Sequence, residues 1–245
     1  LKSEIEQVIK RLGENRLVTL AGPGGVGKTR LVLQTSQEVL GDFADGVWLV
    51  ELAPLADPAW VPQQVAATLG LRDEPGQPIL KTLTAFLTTR EVLLVFDNCE
   101  HLLQACGQLA DSLLHACPRL RLMAASREPL GVTGEAVFTV PSLSFPDPDH
   151  LPPVGQMTDY TAVSLLLDRA RLVLPNYQVT VANAASIAHI CRRLDGIPLA
   201  LEMAAARMSI LNAEQLAGRL DDAFRVLTGG SRSALPRQQT LRATI

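Results

Sequence analysis

The sequence predicts an α/β protein: a parallel sheet with helices on both faces, followed by a small all-α bundle. Three observations carry this expectation. Apolar runs at Arg16-Leu17-Val18-Thr19-Leu20-Ala21, Val47-Trp48-Leu49-Val50-Glu51-Leu52 and Val92-Leu93-Leu94-Val95-Phe96 alternate with amphipathic stretches, as expected of strands buried on both sides. A glycine-rich loop, Gly22-Pro23-Gly24-Gly25-Val26-Gly27-Lys28-Thr29, joins the first run to a helical stretch. Beyond residue 140 the strand-like runs stop, Pro, Asp and Ser crowd together, and the pattern turns helical.

The elements follow in order. Ile5, Val8, Ile9 and Leu12 share one helix face, which Gly13 can close. A helix from Lys28 to Leu40 ends at Gly41. Short helices are expected over 59–69 and 79–89. The run Val92 to Phe96 leads into Asp97, then a helix over about 100–116 and strands over 120–124 and 136–140. These make a first domain of 1–140. A Pro-rich linker, 141–157, precedes a helical domain, 158–245, with helices near 162–172, 183–194, 199–208, 213–220 and 223–227. Without an initiator Met or a terminating signal, the chain reads as a piece of something longer.

Composition narrows the function classes. With 47% hydrophobic and 19% charged residues the chain is a compact globular type. A net charge of −3 offers no footprint for nucleic acid in this segment. Cys99, Cys106, Cys117 and Cys191 form no C-x-x-C pair, and His101, His115, His150 and His189 make no ligand cluster. No apolar stretch approaches the roughly 20 residues that span a bilayer. Together these suggest a cytoplasmic chain with no membrane partner.

The chemistry concentrates at the glycine-rich loop, which fits G-x-x-x-x-G-K-[ST] at each fixed position. Glycines allow successive backbone N–H groups to turn inward around a phosphate, and the next helix aims its positive end at the same point. Gly22, Gly24, Gly25, Val26, Gly27, Lys28, Thr29 and Arg30 are therefore the expected phosphate cradle. Lys28 supplies a point charge and the Thr29 hydroxyl a magnesium ligand. Asp97 ends an apolar strand at the edge where open parallel sheets bind ligands, and can hold Mg²⁺ beside Thr29. Asn98, an amide, can orient water but cannot take its proton. Glu100 is close enough to serve as base, or simply to favour the start of a helix. Arg127, just past the run Leu120 to Ala124, can reach a terminal phosphate. The expected ligand is ATP or ADP with Mg²⁺.

Taken together, Gly22 to Thr29, Leu93-Leu94-Val95-Phe96-Asp97-Asn98-Cys99-Glu100-His101-Leu102, Ala125-Ser126-Arg127 and Cys191-Arg192-Arg193-Leu194-Asp195-Gly196-Ile197-Pro198-Leu199-Ala200-Leu201-Glu202 resemble the STAND class of signalling ATPases. They look most like the NB-ARC-like modules of bacterial AfsR-type and LuxR-type regulators. The closing Gly229-Gly230-Ser231-Arg232 and Pro236 to Ile245 fit the same group. The resemblance implies a P-loop NTPase sheet, with Lys28, Thr29 and Asp97 on phosphates and Mg²⁺ and Arg127 as sensor. It sets Pro198 against the base or sugar. It also implies a switch in which ADP rests and ATP opens the module and permits self-association, within a parent chain carrying other domains. Two departures stand out: Asn98 replaces a second acid, so hydrolysis should be slow, and the flanking glycine-arginine and winged-helix signatures are absent. The competing readings are an ordinary P-loop enzyme, either a small-molecule kinase or an AAA-type motor, and a module that holds ADP without turnover.

Overall fold

The computed structural model describes residues 2–72 and 76–228. Two compact units divide the chain: one holds the residues up to Val140 apart from Gly24–Val26, the other those three together with the residues from Pro141 onward.

The first unit opens on α1, Lys2–Glu14, whose Val8 and Leu12 are buried. Gly13 lies inside this helix rather than closing it. Asn15 caps it instead: its backbone N–H makes the last helical bond to the Arg11 carbonyl (2.8 Å), and its side-chain amide donates to the same oxygen (2.9 Å). Then follow β1 (Leu17–Ala21), α2 (Lys28–Glu38), β2 (Val47–Glu51), α3 (Val61–Thr68), α4 (Ile79–Leu87), β3 (Leu93–Asp97), α5 (Leu103–Ala116), β4 (Arg121–Ser126) and β5 (Glu135–Thr139).

All pairings are parallel, in the order β2-β3-β4-β1-β5. Successive side chains point to opposite faces. Leu17, Leu94, Phe96, Leu122 and Ala124 join one core with residues of α3, α4 and α5. Val18, Leu20, Leu93, Val95, Met123 and Ala125 are equally buried and alternate with them, and α2 packs against β1, β3 and β4. Helices thus cover both faces, which is why these strands read as continuous apolar runs. The register pairs Ala21 with Ser126 and Phe96 with Ala124, so β1, β3 and β4 end at a common edge.

Two side chains fasten the frame. Arg16 donates through Nη2 to the carbonyls of Leu114 (2.7 Å) and Cys117 (2.6 Å), and through Nε to that of Leu120 (3.3 Å). It thereby supplies donors at the end of α5, where helix carbonyls lack partners. Glu135 accepts from the backbone N–H groups of Leu130 (2.8 Å), Gly131 (2.8 Å) and Val132 (3.4 Å), closing the β4–β5 loop. Glu135→Ala leaves these donors without their carboxylate and should lower stability by about 1–2 kcal/mol. Urea denaturation reads this directly. An unchanged midpoint would show that other contacts hold the loop.

The helix expected over 100–116 is split. A 3₁₀ turn, Cys99–His101, precedes α5, because Asn98 takes a left-handed conformation (φ 62, ψ 49) and Leu102 leaves the helical region. Asn tolerates that geometry better than most residues.

The second unit contains α6 (Thr161–Val173), α7 (Ala184–Arg193), α8 (Pro198–Arg207) and α9 (Ala213–Thr228). Val163, Leu166, Leu167, Ile187, Ile190 and Leu201 form its core, with α6 packed on α8 and α7 on α9. The two helices expected over 213–220 and 223–227 are one, since neither Gly nor Pro separates them.

The Pro-rich segment is fastened to this unit rather than loose. The Ser144 carbonyl accepts from the Ala162 N–H (2.9 Å) and its hydroxyl from the Thr161 N–H (3.1 Å), capping α6, whose own N-cap residue Tyr160 supplies no side-chain bond. Arg192 donates to Asp149 (3.0 Å), and the Leu143 N–H to the Gly196 carbonyl (3.0 Å). The closing Gly229 to Arg232 and Pro236 to Ile245 lie outside the described residues.

Candidate functional site

The cradle begins where β1 ends. Gly25 (φ +78) and Gly27 (φ +103) adopt backbone conformations open to glycine and strained for other residues. Gly27 is the N-cap of α2, so the loop delivers the chain directly into the helix N-terminus. Lys28 is only 8% exposed, a burial that a charged side chain tolerates only when bonded. Its Nζ donates to the carbonyls of Gly22 (2.9 Å) and Pro23 (3.1 Å), which holds the ammonium over its own loop. Burial lowers its pKa; Glu100 and Asp97 oppose that effect and Arg127 adds to it.

Thr29, one residue further, donates through Oγ1 to Asp97 Oδ1 at 2.9 Å. Two hard oxygen groups from separate elements thus meet at the sheet edge. Burial raises the Asp97 carboxyl. Bonds from the Thr29 hydroxyl and the Asn98 N–H act against this, Glu100 raises it further, and Lys28 lowers it. Among the described residues no group of three or more His, Cys, Asp or Glu side chains could hold a metal ion. A single carboxylate beside a hydroxyl fits Mg²⁺, which keeps waters and completes its shell with substrate phosphates.

The structure also joins two residues that the sequence treats separately. Arg127, one position past β4, donates through Nε to Glu100 Oε1 at 3.1 Å. Glu100 sits in the 3₁₀ turn after Asp97 with 19% of its side chain exposed, against 50% for Arg127. The sequence marks each residue but not their pairing. The missing information was that β3 and β4 are neighbours, which brings residues just beyond their ends together. Nothing in the local sequence marks His101 either: its Nε2 lies 2.7 Å from the Leu55 carbonyl, tying the 3₁₀ turn to the loop after β2.

The remaining expected residues fall as follows. Gly22 directly follows β1, Val26 is buried in the loop, and Arg30 is exposed in the first turn of α2. Pro198 is the first residue of α8 in the second unit, preceded by the extended Ile197. The structure therefore gathers Lys28, Thr29, Asp97, Glu100 and Arg127 in one unit and puts Pro198 in the other.

A glycine-rich loop entering a helix, a buried lysine and a hydroxyl–carboxylate pair at the edge of a five-stranded parallel sheet define a P-loop nucleotide-binding module. Residues 1–107 match the family model described as "NB-ARC domain". The chain is 47% identical over 234 residues to "Putative HTH-type transcriptional regulator Rv0890c" of Mycobacterium tuberculosis, covering 96% of this chain and 25% of the relative. It is 39% identical over 244 residues to "Uncharacterized protein Rv0894" of the same organism, covering all of this chain and 59% of that one. It thus spans only part of the length of these relatives. Among solved structures, Drosophila ORC bound to DNA shares the fold with a TM-score of 0.52 at 13% identity, over 96% of this chain and 73% of that one.

Proposed function

We propose that this chain is the nucleotide-operated switch of a longer signalling or transcription-regulating protein, binding ATP or ADP with Mg²⁺ and hydrolysing ATP slowly. The observation that carries the reading is the meeting of Thr29 and Asp97 beside the lysine-filled glycine loop. Lys28 and the loop N–H groups would hold the phosphates, and Thr29 and Asp97 would hold the metal. Bound Mg²⁺ would supply charge neutralisation for the phosphates. Slow hydrolysis is supported by Asn98, which cannot take a proton, and by the engagement of Glu100 with Arg127. Naming of a relative as an HTH-type transcriptional regulator supports the wider role. The resemblance to STAND proteins supplies the finer reading: Pro198 of the helical unit set against base or sugar, and ATP for ADP exchange permitting self-association.

Arg127 distinguishes the triphosphate. Its guanidinium offers charge-assisted hydrogen bonds to a terminal phosphate that ADP lacks. Arg127→Ala should therefore weaken ATP about ten-fold while changing ADP little. Titration calorimetry with each nucleotide and Mg²⁺ measures both. Equal losses would remove Arg127 from the terminal phosphate.

A further inference from the structure

The site contains two cations, Lys28 and Arg127, and two carboxylates, Asp97 and Glu100, close enough to perturb one another. Burial lowers the Lys28 ammonium, which both carboxylates oppose and Arg127 reinforces; burial raises the Asp97 carboxyl, and Glu100 adds to that. If Asp97 takes the metal and Lys28 the phosphates, Glu100 and Arg127 remain, and they bond each other at 3.1 Å. Their surroundings differ. Glu100 is four-fifths covered and rooted in the 3₁₀ turn two residues beyond Asn98, so it has little room to withdraw. Arg127 is a long arm, half exposed, at the start of a loop.

We infer that Glu100 is a specificity-determining guard: its carboxylate competes with the terminal phosphate for Arg127 and so restrains the preference for triphosphate over diphosphate. The inference rests on the nucleotide reading above. The effect runs through the guanidinium: neutralised by a carboxylate, it attracts a phosphate less strongly. ADP ends one phosphate short and loses less to this competition. Glu100 thus acts through Arg127, setting how much triphosphate is needed to draw the arm away. A module of this kind stays on the diphosphate until triphosphate is abundant.

This assignment differs in its consequences from a role for Glu100 as base. Glu100→Gln keeps the size of the side chain and removes the charge. As guard, the substitution tightens a non-hydrolysable ATP analogue about three- to five-fold relative to ADP, the scale expected of a partly exposed ion pair. The gain must pass through Arg127, so it vanishes when Glu100→Gln is made together with Arg127→Ala. Titration calorimetry of the unaltered chain, both single variants and the double variant, with the analogue and with ADP in the presence of Mg²⁺, gives the full cycle. An unchanged analogue-to-ADP ratio in Glu100→Gln overturns the inference, as a pure base would give that result. A gain that persists in the double variant also overturns it, because simple repulsion would then suffice. Weaker analogue binding in Glu100→Gln does so too, since Glu100 would then be aiming Arg127 rather than competing for it. Failure of the unaltered chain to bind either nucleotide overturns the nucleotide reading and this inference with it.

Discussion

Lys28→Ala is expected to abolish the thermal stabilisation that nucleotide confers on this protein. In the unaltered chain, ligand at 100 times its dissociation constant adds about 2.7 kcal/mol to the folded state. For a chain of this size that is roughly 5–10 °C in melting temperature. Lys28 is the only lysine of the loop, almost wholly buried, and held by the carbonyls of Gly22 and Pro23. Such a charge, kept out of water and already organised, loses little freedom when an anionic ligand arrives. Removing it takes away the point charge and leaves two loop carbonyls without their donor, so both affinity and loop geometry suffer. A scanning-fluorimetry titration with ADP and with ATP would show it. A shift as large in the variant as in the parent would mean that phosphates bind elsewhere.

The largest stability effect is expected at Gly196→Ala, in the helical unit. Gly196 follows α7 with φ +63, immediately after Asp195 at φ +51, and its N–H donates to the Cys191 carbonyl at 3.0 Å, closing the helix. Its own carbonyl accepts from the Leu143 N–H. A Cβ at this position would run into the Leu143 carbonyl oxygen and press on Phe145 at 3.1 Å. The substitution therefore meets backbone, which cannot rotate aside as a side chain would. Left-handed strain adds about 1–2 kcal/mol for a non-glycine residue, and the displaced strap loses its bond, so a total of about 2–4 kcal/mol is expected. Limited proteolysis should cut first between residues 141 and 160, and chemical denaturation should show the loss in the helical unit. Unchanged protection of that segment would mean that the strap is held by Ser144 and Arg192 alone.

This glycine also shows where sequence reading reaches its limit. The sequence places one helix near 183–194 and the next near 199–208, and in the fold Gly196 closes α7 while Pro198 begins α8. The strap that crosses Gly196 was not legible, because Leu143 lies some fifty positions earlier and nothing local marks the encounter. Likewise Gly13 had the composition of a helix stop, yet Asn15 two residues later made the better cap. The break between the 3₁₀ turn and α5 also escaped the sequence, since helical periodicity from Glu100 onward gives no sign that Asn98 enters left-handed.

The strands, their parallel character and the phosphate loop were determined by the sequence alone. Continuous apolar runs can be buried only under helices on both faces, and a glycine loop ending in Lys-Thr has few other uses. What tertiary structure decided was pairing: Thr29 with Asp97, Arg127 with Glu100, Arg16 with the end of α5, and Leu143 with Gly196. Each joins residues from 27 to about 100 positions apart. Local sequence sets periodicity and turn chemistry, whereas partners at that separation meet only once the strand order of the first unit, or the helix packing of the second, brings their carriers together.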